Sequence, residues 1–134
     1  MLRRISLIAA SAAIAAVSAL PASAATTHSS THKLSFPALH GLKAWGNYTR
    51  TSRGLKINVC AKDTARGVFA VGAVTLASNA SNSRHMELGA VAIGYNQTVC
   101  RSETLRYTNH LRVWTFTAGN QGRITKRSKT KTVF

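Results

Sequence analysis

Acidic side chains are what this sequence most nearly lacks. Its 134 residues include 18 Lys and Arg but only three carboxylates, Asp63, Glu87 and Glu103. A glycosidase of the paired-carboxylate type needs two of them flanking one bond, and three scattered acids are a poor basis for that chemistry. Cysteine and proline each stop at two. GxSxG, HExxH and a phosphate-cradling glycine loop are absent. No nucleophilic hydrolase, metalloprotease or nucleotide site is therefore indicated, and neither a cofactor nor a metal is expected. His28 and His32 have i, i+4 spacing, but they sit among Ser and Thr, which are poor helix formers, with no carboxylate or cysteine near them.

What is present begins with an export signal over residues 1–24. Arg3 and Arg4 form a short positive start, Ile5 to Leu20 an alanine-rich apolar run, and Pro21-Ala22-Ser23-Ala24 the break and small-residue pattern of a cleavage site. The run is about 16 residues, short of the roughly 20 that a spanning helix needs, so no stable membrane insertion is expected after cleavage. The chain is expected to be secreted, and the alanine-rich style fits a bacterial host. Cleavage before Ala25 leaves 110 of the 134 residues, the size of one domain. Taking Arg3 and Arg4 from the 18 Lys and Arg leaves 16 against three acids, a formal charge of +13. Such a domain repels its own copies, so a monomer is expected, and it gathers at polyanions with an affinity that falls as salt rises. Wall polymers, anionic lipid, polysaccharide and nucleic acid are the partners that fit the charge, which does not choose among them, and an exposed edge strand is the place expected for any protein partner.

Cys60 and Cys100 are the only cysteines, and in an oxidising compartment an intramolecular disulfide is the default. Closing a loop of about 40 residues removes unfolded-state entropy worth roughly 4 kcal/mol. No signature of a catalytic thiol surrounds either residue.

Residues 25–40, ATTHSSTHKLSFPALH, carry no usable period and include Pro37, and are expected to be a flexible Ser/Thr/His-rich leader to a domain at 41–134. From Gly41 the period is two. Leu55, Ile57, Val59 and Ala61 alternate with Lys56, Asn58, Cys60 and Lys62, a strand with one buried face. Gly67 to Ala77 is apolar on both parities and reads as a central strand. Further strands are expected at 43–50, 85–93 and 111–116, with Thr51 to Gly54 and Ala118 to Gly122 as turns. Ser102 to Thr108 is the one segment with helical signals, a Ser cap and Glu103 in the first turn. Six or seven short strands point to an all-β sandwich, immunoglobulin-like in general architecture, with a small barrel as the alternative. If Leu55, Ile57 and Val59 face the core, Cys60 faces away from it, so the bridge is expected at the periphery, on an outer face or at a strand end. Three stretches, VCAKD at 59–63, GYNQTVC at 94–100 and RVWTFTAG at 112–119, together with the signal and the basic tail, resemble the small exported β-sandwich proteins of actinomycete bacteria. That resemblance implies a fold and a compartment, not a mechanism.

The sequence supports two classes of function. The first is a non-catalytic protein that adheres to anionic polymers of an envelope or matrix, with Arg123, Arg127, Lys129 and Lys131 as its polyanion-binding residues. In RITKRSKTKTVF, residues 123–134, these four share one strand parity, which reads as a final edge strand with a cationic stripe. The second class is a secreted effector, antibacterial, toxin-like or an inhibitor presenting Arg84 in the loop 78–86. A small ribonuclease is a lesser variant, because His85 with Glu87 and His110 with Arg112 each share a strand face. The reading adopted is that the protein is not an enzyme. Trp45, Tyr48, Tyr95, Tyr107 and Trp114 offer a stacking platform, set against a reading in which Trp114 fills the core and Trp45 covers a sheet edge.

Overall fold

The computed structural model describes residues 29–134, so the export signal lies outside the described residues. Nine strands form two antiparallel sheets that pack face to face, and no helix occurs among the described residues. The first sheet has the order β1 (Thr31–Leu34), β2 (Leu42–Thr51), β3 (Gly54–Asp63), β6 (Thr98–Leu105). The second has β5 (His85–Ile93), β4 (Ala70–Ser78), β7 (His110–Ala118) and then β8 (Ile124–Arg127), with β9 (Lys131–Thr132) also on β7. This is the sandwich rather than the barrel, since no ladder joins the two sheets.

The inward rows follow the parity of the sequence. Leu55, Ile57, Val59 and Ala61 of β3 meet Ala73 and Ala77 of β4, Leu88 and Ala90 of β5, and Leu111 and Val113 of β7, all buried. The many alanines on the second sheet leave little depth between the layers, and Thr75 and Thr115, buried among them, satisfy their hydroxyls on the Leu88 and Pro37 carbonyls at 3.0 and 3.1 Å. β4 is apolar on both parities because its outer face is covered too. The Phe116 ring of β7 lies across Gly72, where a Cβ would collide with it, and Trp114 lies 5.5 Å from Phe116.

Two expectations need correcting. The segment Ser102 to Thr108 is not helical: β6 runs to Leu105 and pairs with β3 from Lys62↔Thr98 to Leu55↔Leu105. Barely two turns cannot offset helix nucleation, whereas a buried Leu105 opposite Leu55 and a covalent tie at Cys100 favour the strand. The domain also does not start at Gly41. Thr31–Leu34 pairs with β2, Leu34 is buried, His32 stacks on Tyr48 at 5.0 Å and the Thr31 and Thr49 hydroxyls meet at 2.9 Å. A four-residue strand is too short to show a period, which is why its composition reads as a leader.

The C-terminal segment is an edge, in two pieces. β8 pairs Phe116↔Arg127, β9 pairs Val113↔Lys131, and the register shifts by one between them. Ser128 takes up the shift: its N–H donates to the Thr115 carbonyl and its Oγ accepts from the Thr115 N–H, each at 2.9 Å. A side-chain oxygen thus stands in for a ladder carbonyl, as in a β-bulge. Beyond β9, Val133 N–H donates to the Leu111 carbonyl at 2.8 Å, and Phe134 packs 5.4 Å from Tyr48 under the Arg50 guanidinium, closing that side of the sandwich.

Candidate polyanion-binding face

Strand pairing turns single exposed residues into a surface. The outward positions of the first sheet form four rows: Lys43, Lys62 and Thr98; Trp45, Cys60 and Cys100; Lys33, Asn47, Asn58 and Ser102; Thr31, Thr49, Lys56 and Thr104. At about 4.8 Å between strands and about 6.8 Å between rows, this face measures roughly 14 by 20 Å. It carries four lysines, one Trp, hydroxyls and amides, and not one acid. Asp63 lies on the inward parity and is buried, Glu103 sits opposite inward-facing Ile57, and Glu87 is on the other sheet.

Lys43 and Lys62 are direct cross-strand neighbours. Like charges in that position oppose folding, and no ion pair to a carboxylate relieves them. Between that pair and Lys56, Trp45 stands 37% exposed with the Lys43 ammonium 5.7 Å from its ring. It ends its row at the margin that β2 forms once β1 stops at Leu34↔Gly46, in line with the reading that put it at a sheet edge. Asn58 accepts from the Ser102 hydroxyl at 3.0 Å, which orients its amide nitrogen to donate outward. The Cys60–Cys100 disulfide bridges directly opposed residues of β3 and β6 on this same face, so the bridge is peripheral and braces the surface from within the sheet.

The four tail residues named from the sequence are not brought together. Arg127 faces outward over the Trp114 ring at 3.9 Å, on the second sheet. Lys131 lies opposite inward-facing Val113, on the other parity. Lys129 is exposed between the two strands, and Arg123 closes the hairpin through its carbonyl, which accepts from Gly119 N–H at 2.9 Å. Two register shifts, one within β8 opposite Thr117 and Ala118 and one at Ser128, therefore split the single stripe that unbroken alternation implies. Trp114 is on this outer face, half-buried beneath Arg127, rather than in the core between the sheets.

The alternative sites look different once placed. His85, Glu87, His110 and Arg112 do share the outer face of the second sheet, in the rows His85, Ser78, His110 and Glu87, Leu76, Arg112. β4 lies between the pairs, a separation of two strand spacings or about 10 Å. The 79–84 loop also folds over buried Ser78, whose Oγ donates to Asn82 Oδ1 at 2.9 Å, while His110 Nε2 donates to the Ala80 carbonyl at 3.3 Å. The two pairs thus flank β4, and the His110 ring is engaged by the loop. Arg84 is at the base of that loop, its carbonyl taken by Asn79 N–H at 3.1 Å and its N–H by Asn79 Oδ1 at 3.2 Å. Asp63 forms a local turn, its Oδ1 accepting from Ala65 N–H at 3.1 Å. Sequence reasoning missed the lysine face because Lys33 was assigned to a leader and Lys43 to a strand of unknown neighbours; only the shared outward parity of Lys56 and Lys62 was visible. No family model, curated protein or solved structure matches the chain.

Proposed function

We propose that this is a secreted, cationic, non-catalytic protein that adheres to anionic polymers of a cell envelope or matrix through the outer face of its first sheet. The observation that carries the reading is the direct opposition of Lys43 and Lys62 on a four-lysine face without an acid. A folded domain loses stability by that arrangement and recovers it when an anion bridges the pair. A flat, disulfide-braced sheet face suits an extended polymer, and Trp45 adds a stacking surface between the cations. Export rests on the signal-like residues 1–24, and the compartment it implies is the one in which a disulfide persists. The effector alternative rests on Arg84, whose side chain is exposed while its backbone closes the 79–84 hairpin.

The test is retention on a phosphate-rich polymer over a salt series. Affinity should fall linearly in log–log form, with each lysine that contacts a phosphate contributing about 0.7 to 0.9 to the slope. Retention that ignores salt up to about 1 M, where the screening length is near 3 Å, contradicts the proposal.

A further inference from the structure

The four edges of the two sheets are not alike. β1 carries Lys33, β6 carries Arg101, and the β8–β9 edge carries Lys126, Arg127 and Lys131. Such cations are how proteins keep sheet edges from pairing. β5, HMELGAVAI, has no Lys, Arg or Pro, and from Leu88 onward no charge at all. It is nine residues long, and Val91 and Ile93 stand 41% and 60% exposed on it.

Its backbone phase can be read from one bond. Gly94 N–H donates to the Phe69 carbonyl across the end of the β4–β5 ladder at 3.1 Å. Alternation in an antiparallel pair then directs the even-numbered groups of β5 to β4 and those of Glu87, Gly89, Val91 and Ile93 away from the sheet. None of those four makes a backbone hydrogen bond elsewhere among the described residues.

We propose that β5 pairs antiparallel with β5 of a second copy of this chain, about a two-fold axis through Val91. This departs from the monomer expected on net charge and is independent of the polyanion reading. The register is self-complementary. Val91 meets its counterpart, and Ile93 of each copy falls opposite Gly89 of the other, the one outward position on the strand with no side chain. Glu87 reaches the other copy's turn, where the Arg66 guanidinium lies 4.8 Å over Tyr95. An axis through Ala90 or Gly89 would instead set Glu87 against Ile93 or Val91. Nine residues of paired strand is a small interface, near the 1,000 Å² lower end of specific ones, so the dimer is weak and concentration-dependent. Most of the repelling charge is on the first sheet and the tail, so added salt should strengthen dimerisation, opposite in sign to its effect on polyanion binding.

Sedimentation equilibrium of the purified protein at low and high salt tests this. A monomer–dimer equilibrium that tightens with salt is expected. Ile93→Lys should weaken it by about tenfold or more, whereas Ile124→Lys, also exposed but on the opposite edge, should not. Val91→Pro removes an N–H that no ladder bond uses, so it should abolish pairing while far-UV circular dichroism stays that of the native fold. Glu87→Lys should weaken the dimer and a further Arg66→Glu should restore it. A monomer at every salt and concentration overturns the proposal, as does a dimer indifferent to Ile93→Lys and Val91→Pro.

Discussion

Changing Lys62 to Gln should make the protein more stable and a poorer binder at once. Lys62 and Lys43 are direct cross-strand neighbours with no acid on their face, and ammonium groups about 7 Å apart at an effective dielectric constant near 60 repel by about 0.8 kcal/mol before screening. Screening over roughly 8 Å at physiological salt lowers this to about 0.3 kcal/mol, and at 1 M, with a length near 3 Å, to under about 0.1. For a domain of this size the gain at low salt corresponds to a rise in Tm of about 2 to 5 °C. Thermal melts of the wild type, Lys62→Gln and Lys43→Gln at low salt and at 1 M would read it. Lys43 is exposed and Lys62 half-buried, and the Lys43 variant also gives up the ammonium contact with Trp45 at 5.7 Å, so the salt dependence of the Lys62 variant is the cleaner reading of lost repulsion. The same variants should lower the slope of log affinity against log salt by about one unit each. A loss of stability in both variants, or a gain unchanged at 1 M salt, would refute the reasoning.

Other consequences follow from the packing. Replacing Cys60 and Cys100 by Ala should cost about 3 to 4 kcal/mol in denaturant unfolding, since the bridge closes a separation of 40 residues. Phe134→Ala removes the ring that closes the sandwich against Tyr48; it should cost about 2 to 3 kcal/mol and expose Lys129 and Lys131 to trypsin, which should cut the wild type slowly. Gly46→Ala should destabilise by about 1 to 3 kcal/mol by chemical denaturation, because a Cβ there collides with the Asn58 carbonyl oxygen. RNA incubated with the protein should remain intact by gel, as a non-catalytic protein leaves it; cleavage that is lost in both His85→Ala and His110→Ala would contradict that reading.

Much of the fold was legible because alternation over eight to ten residues reports one buried face. β3 and β7 show this most clearly, and the outward parity of Cys60 was enough to place the disulfide on the periphery. The misses share a cause, which is that local signals were weighed without neighbours. Four residues of β1 have no period of their own and form a strand only because β2 offers a partner. The Ser cap and Glu103 of the expected helix are ordinary outward and edge residues once Leu105 is buried. One-residue register shifts within β8 and at Ser128 are invisible to parity and undid the tail stripe. The lysine face was hidden for the same reason, since Lys33, Lys43, Lys56 and Lys62 come from three strands whose register no single segment contains.

The most direct test compares two variants of equal charge. One replaces Lys33, Lys43, Lys56 and Lys62 by Gln, the other Arg123, Arg127, Lys129 and Lys131, so that each loses four positive charges. Polyphosphate binding is then measured for both over a salt series. The account predicts that the first variant loses most of the affinity and of the salt slope while the second keeps most of both; equal losses, or a larger loss in the tail variant, would contradict a binding site on the first sheet.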